Sequence, residues 1–198
     1  MDQKSLLSFI QSRRTCYHFI PKSEVPVLEE EIRTCLQAAI SAPNHKLTQP
    51  WRFWIASENY NRSLADIYAD NRASKKSQDD ANVYDYFYQK ALDKFSVIPA
   101  VILVGQQLAE DDTLRKEDYA ACACAIQNFQ LMAWSLDIGV QWSTGPIIMD
   151  QRTYDLLGIT KDKIELIGAL YLGHVNEQMK PKNNLKRKIL NEVVSLLE

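Results

Sequence analysis

APNHKLTQPWRFWIAS, residues 42–57, sets a polar loop directly against a strand. Pro43 and Pro50 bracket it, and five side chains between them can hydrogen-bond: Asn44, His45, Lys46, Thr48 and Gln49. Trp51, Phe53 and Ile55 then alternate with other residues, the period-two pattern of a strand with one face buried. Glycine, serine or aspartate would suffice for a plain connector. Two readings stand side by side. The polar side chains bond their own backbone, as Asn and Thr often do, or they present donors to a planar heterocycle.

Outward from this stretch, helices and strands intermingle. Residues 27–41 carry Leu28, Ile32, Cys35, Leu36 and Ala39 on one helical stripe, with Pro26 at the start and Pro43 as the stop. A first helix over 3–12 gathers Leu6, Leu7 and Ile10 on one face. Residues 58–96 are helical in outline. SKKSQDD (74–80) reads as a mobile charged stretch, and VYDYFYQKALDKF reads as a helix crowded with aromatics. AVILVG (100–105) and IELIGALYLGHV (164–175) read as strands covered on both faces. Between them, residues 117–136 form a helix apolar nearly all round, which belongs in a core or a subunit interface. GVQWSTGPI follows as a short strand and turn, and Asp150 can cap a helix ending at Gly158. The tail is basic, then amphipathic. No repeat, linker or regular βαβ rhythm divides the chain, so a single α+β domain over 1–198 is expected.

Composition narrows the function. A net charge of −2 gives no general field for nucleic acid. No apolar run approaches the ~20 residues of a membrane span, and the first ten residues lack a leader pattern, so a cytoplasmic chain is expected. The cysteines at 16, 35, 122 and 124 lack zinc-ribbon spacing, and the histidines at 18, 45 and 174 supply no ligand pair, so no metal site is expected. Cys122 and Cys124 lie two apart on a helix and so point to different faces. They read as small buried thiols, with a thiol-redox pair as the rival.

Three further segments carry candidate chemistry. Arg13-Arg14-Thr15 offers two guanidinium forks and a hydroxyl to a phosphate, or else a solvated basic helix end. Trp142-Ser143-Thr144-Gly145 offers packing, donors and close backbone approach, or an ordinary turn. Lys186-Arg187-Lys188 offers charge for an anion, or an exposed basic helix start. No nucleophile elbow or ligand set accompanies them. Anion binders and ring binders without a nucleophile suit a cofactor that does the hard chemistry.

Taken together, these segments resemble the nitroreductase family of FMN-dependent oxidoreductases, in particular its compact bacterial branch. The family's A-P-x₅-Q-P-W-x-F block matches Ala42, Pro43, Gln49, Pro50, Trp51 and Phe53. Its Arg-Arg-Ser-like triplet matches Arg13-Arg14-Thr15. Its G-x-x-W-x-S-G segment matches Gly139, Trp142, Thr144 and Gly145, its late L-Y-L-G strand matches 170–173, and its closing pattern matches Arg187, Leu190, Glu192, Val193 and Val194. Leu47 stands where many members carry asparagine, and Ser41 where a relative carries arginine.

The resemblance implies a sandwich of helices around a mostly antiparallel sheet, in an intertwined homodimer with FMN at the subunit interface. It implies phosphate and ribityl contacts from Arg13, Arg14, Thr15 and Arg187. Ring contacts are implied from Asn44, His45, Trp142, Ser143 and Thr144, and further cofactor contacts from Ser41, Gln49 and Gly145. Lys46 is the candidate for stabilising the charge of reduced flavin. Hydride from NADH or NADPH would pass to a nitroaromatic, quinone or related small acceptor by a ping-pong mechanism, with Tyr84, Tyr86, Phe87 and Tyr88 as a lid or as core. The rival from another class is an FMN-binding store, sensor or interaction protein with little turnover.

Overall fold

The computed structural model describes residues 2–78, 80–175 and 186–197. A four-stranded antiparallel sheet lies at its centre, in the order β1-β2-β4-β3: β1 (Trp51–Ile55), β2 (Ala100–Gln107), β3 (Ile138–Ser143) and β4 (Ile164–His174). The two central strands are the two continuous apolar runs of the sequence, and both are covered on both faces. Alternation sorts their side chains. Ile102, Val104, Leu170 and Leu172 meet Ile32, Cys35 and Ala39 of α2 (Glu29–Ile40) and the Ala121–Ala133 stripe of α5 (Asp112–Ser135). Val101, Leu103, Ala169 and Tyr171 meet Leu64 and Ile67 of α3 (Glu58–Ser77), Phe95 of α4 (Ala81–Ser96) and Tyr154 of α6 (Gln151–Leu157). Helices therefore flank an antiparallel sheet on both sides, the α+β sandwich expected. The first helix, α1 (Gln3–Ser12), buries none of its residues, and its expected stripe of Leu6, Leu7 and Ile10 is exposed.

The caps follow local chemistry. Asp2, Asp80, Asp111 and Asp150 each accept a backbone N–H in the first turn of the helix that follows. Gly158 closes α6 at φ 66°, as its sequence predicts.

Several expectations shift. The helix expected at 27–41 starts later, because the Leu28 N–H donates to Glu31 Oε2 at 2.7 Å, leaving Pro26 outside it. The charged stretch SKKSQDD starts inside a helix. Ala69, Ala73 and Ser77 continue one buried stripe at four-residue spacing, so α3 runs to Ser77 and turns only at Gln78, φ 45°. Asp79 lies outside the described residues. In β1, Ile55 is exposed, and Trp54 packs against the α3 side instead. β3 begins at Ile138, one residue before the expected GVQWSTGPI. In α5 one stripe is buried, while Tyr119 and Cys124 are exposed. The amphipathic tail forms only a 3-10 turn at Leu190–Glu192, and its first residues, 180–185, lie outside the described residues.

One irregularity shapes the site end of the sheet. Val104 faces Gly168 while Gly105 faces Leu166, so β4 carries an extra residue, Ile167, at a bulge. The Ile167 carbonyl accepts the Trp142 indole N–H at 3.2 Å. A Cβ on Gly168 would stand 2.1 Å from that nitrogen, so only glycine admits the indole.

Candidate functional site

The Arg-Arg-Thr segment is extended beside β3. Thr15 bridges to Val140, and the Cys16 N–H donates to the Val140 carbonyl at 3.2 Å. The approach needs Gly139, where a Cβ would lie 2.6 Å from Cys16 Cβ. The two arginines diverge, as alternation requires. Arg14 turns inward and is buried, with Nη1 donating to the carbonyls of Gln11 and Arg13. Arg13 reaches outward to Gln130 Oε1 on α5 at 3.4 Å. Burial holds the Arg13 guanidinium below its usual range, and like charge from Arg187 and then Arg14 adds to that. Arg187 is exposed on the carboxy-terminal segment yet returns to this point of the sheet. Three guanidiniums thus share one neighbourhood, and no carboxylate contributes to the Arg13 shift.

Two residues past Thr15, at Tyr17, opens a cavity of about 450 Å³, bounded also by Tyr68, Arg72, Gln141, Ser143 and Tyr171 among others. His18 and Lys94 also line it, and no carboxylate does among the described residues. Arg72 stacks over the Tyr68 ring, 5.0 Å from its centroid. Tyr171 is 3% exposed, and its hydroxyl has no hydrogen-bond partner. Burial pushes its pKa up. Ser143 pulls the other way but does not reach hydrogen-bond geometry, and Arg72 opposes the rise electrostatically.

Beyond Ser143 the chain turns. The Gly145 N–H points back to Ser143 Oγ at 3.4 Å, and Thr144 borders a second hollow of about 500 Å³ with Tyr119 and Met149. Trp142, pinned at the bulge, packs against the core and aims this turn.

The 44–49 loop behaves differently. Lys46, Leu47 and Gln49 have φ of 49°, 56° and 46°, the left-handed region that non-glycine residues enter at a cost. Three bonds hold it there. Asn44 Oδ1 accepts the Gln49 N–H at 3.0 Å, Thr48 Oγ1 donates to buried Asp118 Oδ1 at 2.6 Å, and Arg52 Nη1 donates to the Gln49 carbonyl at 3.1 Å. Asn44 therefore braces the loop, and Gln49 is exposed. His45 is half exposed, 4.0 Å from Glu117, and Lys46 is exposed. Ser41 caps the end of α2, donating to the Gln37 carbonyl at 2.9 Å. Thr48 docks on α5 at Asp118, whereas Arg13 docks twelve residues later at Gln130. A helix rises 1.5 Å per residue, so the anchors stand about 18 Å apart. Within one chain the loop and the arginines do not meet.

Other candidates separate too. Tyr84 donates to Asp70 at 2.7 Å and Tyr88 to Asp66 at 3.0 Å, so these two rings lace α4 to α3. Cys122 is buried, and burial followed by Asp118 raises its pKa to about 12. Cys124 is exposed on another face, against the expectation that both thiols are buried. That geometry does not suit a thiol pair. Sequence reasoning missed Tyr68, Arg72, Gln141 and Tyr171. Tyr68 and Arg72 sit four apart on α3, a spacing that places them on one face, and that pairing was the available signal.

A protein-family model described as the nitroreductase family matches residues 10–174. The chain belongs to the nitroreductase family. Among relatives, the "Putative NAD(P)H nitroreductase YfhC" of Bacillus subtilis (strain 168) is 32% identical over 179 residues, spanning 89% of this chain and 88% of that one. A nitroreductase-like family protein from Bacillus cereus superposes with a TM-score of 0.84 at 25% identity, covering 100% of this chain and 98% of the other. A nitroreductase with bound FMN from Bacteroides fragilis shares the fold at a TM-score of 0.72 and 18% identity, covering 100% of both chains. Among the described residues of this nitroreductase chain, no helix is long and apolar enough to cross a membrane.

Proposed function

We propose that this chain is an FMN-dependent oxidoreductase, acting in the cytoplasm as a homodimer. It takes hydride from NADH or NADPH and reduces a nitroaromatic, quinone or related small acceptor by a ping-pong mechanism. One observation carries this reading: Arg13, Arg14 and Arg187 lie close enough for their charges to act on one another, and a cavity that opens two residues past Thr15, at Tyr17, is lined by Arg72, Lys94 and aromatic rings with no carboxylate among the described residues, which suits a ligand with an anionic end and a ring. The residues present fit FMN, the group bound in the Bacteroides fragilis relative. When bound, the flavin supplies the hydride-carrying ring.

The protein's part is to hold, orient and polarise. Arg13 and Arg187 hold the phosphate through charge-assisted forks. Thr15 adds a hydroxyl, and Arg14 stiffens the backbone beneath. Ser143, Thr144 and Gly145 meet the ring edge, with Trp142 fixing their direction. Arg72, rather than Lys46, supplies the cation inside the cavity of the same chain, where it favours a reduced, anionic ring. The 44–49 loop, about 18 Å away along α5, serves the site of the second copy with Asn44, His45 and Lys46.

The absorbance spectrum of the purified protein, followed by anaerobic NADH or NADPH, tests this. Flavin peaks that bleach with a donor and return with a nitroaromatic support the reading. Absence of flavin after incubation with FMN refutes it. Flavin that never bleaches leaves the binding role without the reductase.

A further inference from the structure

Among the described residues that line the cavity, Tyr171 is the one whose polar atom is both sealed and unsatisfied. It sits on a central strand, 3% exposed, with its hydroxyl unbonded to any described residue. A buried hydroxyl without a partner destabilises a fold unless something supplies one. Its ring is fixed by Phe95, edge-on at 5.6 Å, so the hydroxyl cannot swing elsewhere. Arg72 and Ser143 stand around it at the same cavity. Burial also raises its pKa, which keeps the phenol protonated and a donor at neutral pH. Two donors, a phenol and a guanidinium, therefore converge at this cavity, and the nearby Ser143 hydroxyl does not reach hydrogen-bond geometry with the phenol.

We infer that Tyr171 is a ligand-binding residue whose hydroxyl donates to an acceptor oxygen on the edge of the ring bound in this cavity. The missing partner comes with the ligand. This rests on the flavin reading above and adds a contact from the sheet beneath the ring, independent of the arginine cluster. The hydroxyl costs stability in the empty protein and contributes affinity in the loaded one.

Tyr171→Phe separates these two effects. Without FMN, its urea midpoint is expected to equal or exceed that of wild type, because an unsatisfied group is removed. With FMN, its dissociation constant, read from quenching of FMN fluorescence, is expected to rise about three- to tenfold. Release of FMN on dilution should quicken by a similar factor. Equal FMN affinity in both proteins overturns the assignment. So does a lowered midpoint or an unfolded variant without FMN, since a hydroxyl with no protein partner cannot carry the fold. If wild type itself binds no FMN, the flavin reading fails first, and the titration reports that outcome separately.

Discussion

At the residue scale, strain and charge mark the site. Leu47, exposed and at φ 56°, should relax when replaced by glycine. Leu47→Gly is expected to raise chain stability by about 0.5–1 kcal/mol in urea titrations, since glycine enters the left-handed region freely. Thr48→Val strips buried Asp118 of its 2.6 Å donor, and a loss of about 1–3 kcal/mol is expected from the same measurement. Arg13→Ala is expected to cost about 1.5–3 kcal/mol of FMN affinity, read by equilibrium dialysis. These residues were unevenly legible. Pro43 and Pro50 announce a rigid loop, but no residue code announces left-handed Lys46 and Leu47, which tertiary bonds impose. Arg13 and Arg14 were visible as a pair, yet which of them turns inward depends on the bridge to Val140. Tyr171 hid inside an apolar run, where a tyrosine reads as core.

At the element scale, periodicity carried far. β2 and β4 were readable as doubly covered strands because Val101–Val104 and Ala169–Leu172 lack polar alternation. The bulge was not readable, since Gly168 resembles any small strand residue until Trp142 is seen against it. Gly168→Ala is expected to push the indole away from the Ile167 carbonyl and cost about 1–3 kcal/mol, with a change in near-ultraviolet circular dichroism from Trp142. On the other face, Arg152 bridges Asp70 of α3 and Asp150 at the start of α6, both at 2.7 Å. The Arg152 hydrogen bond, foremost among its causes, lowers the Asp150 pKa to about 2, and Asp70 is lowered as well, chiefly by Tyr84. A carboxylate depressed by folding contributes stability above its ordinary range, and that contribution fades as pH falls from about 4 toward 2. Arg152→Ala is expected to flatten this acid limb and remove about 1 kcal/mol at neutral pH, a figure kept small because Arg152 is half exposed.

At the scale of the whole molecule, the fold follows from helices covering both faces of one sheet, and the site follows from where α5 puts its two ends. The first was legible in apolar pattern. The second was not, because α5 looked uniformly apolar and gave no sign that Asp118 and Gln130 anchor different parts of the site. Pairing of copies has a direct test. Mixed and refolded Arg13→Ala and loop-deleted chains, assayed at a flavin concentration that loads wild type but neither variant alone, are expected to regain about a quarter of wild-type sites by random two-fold pairing. Recovery of none would sink the shared site. The distance along α5 then has a consequence for how the protein behaves at different abundance. When two copies must meet before a complete pocket exists, cofactor capture and association form one linked equilibrium. Dilution alone should release flavin, and added flavin should draw scattered chains into pairs, so the amount of protein in a cell sets its colour as well as its quantity.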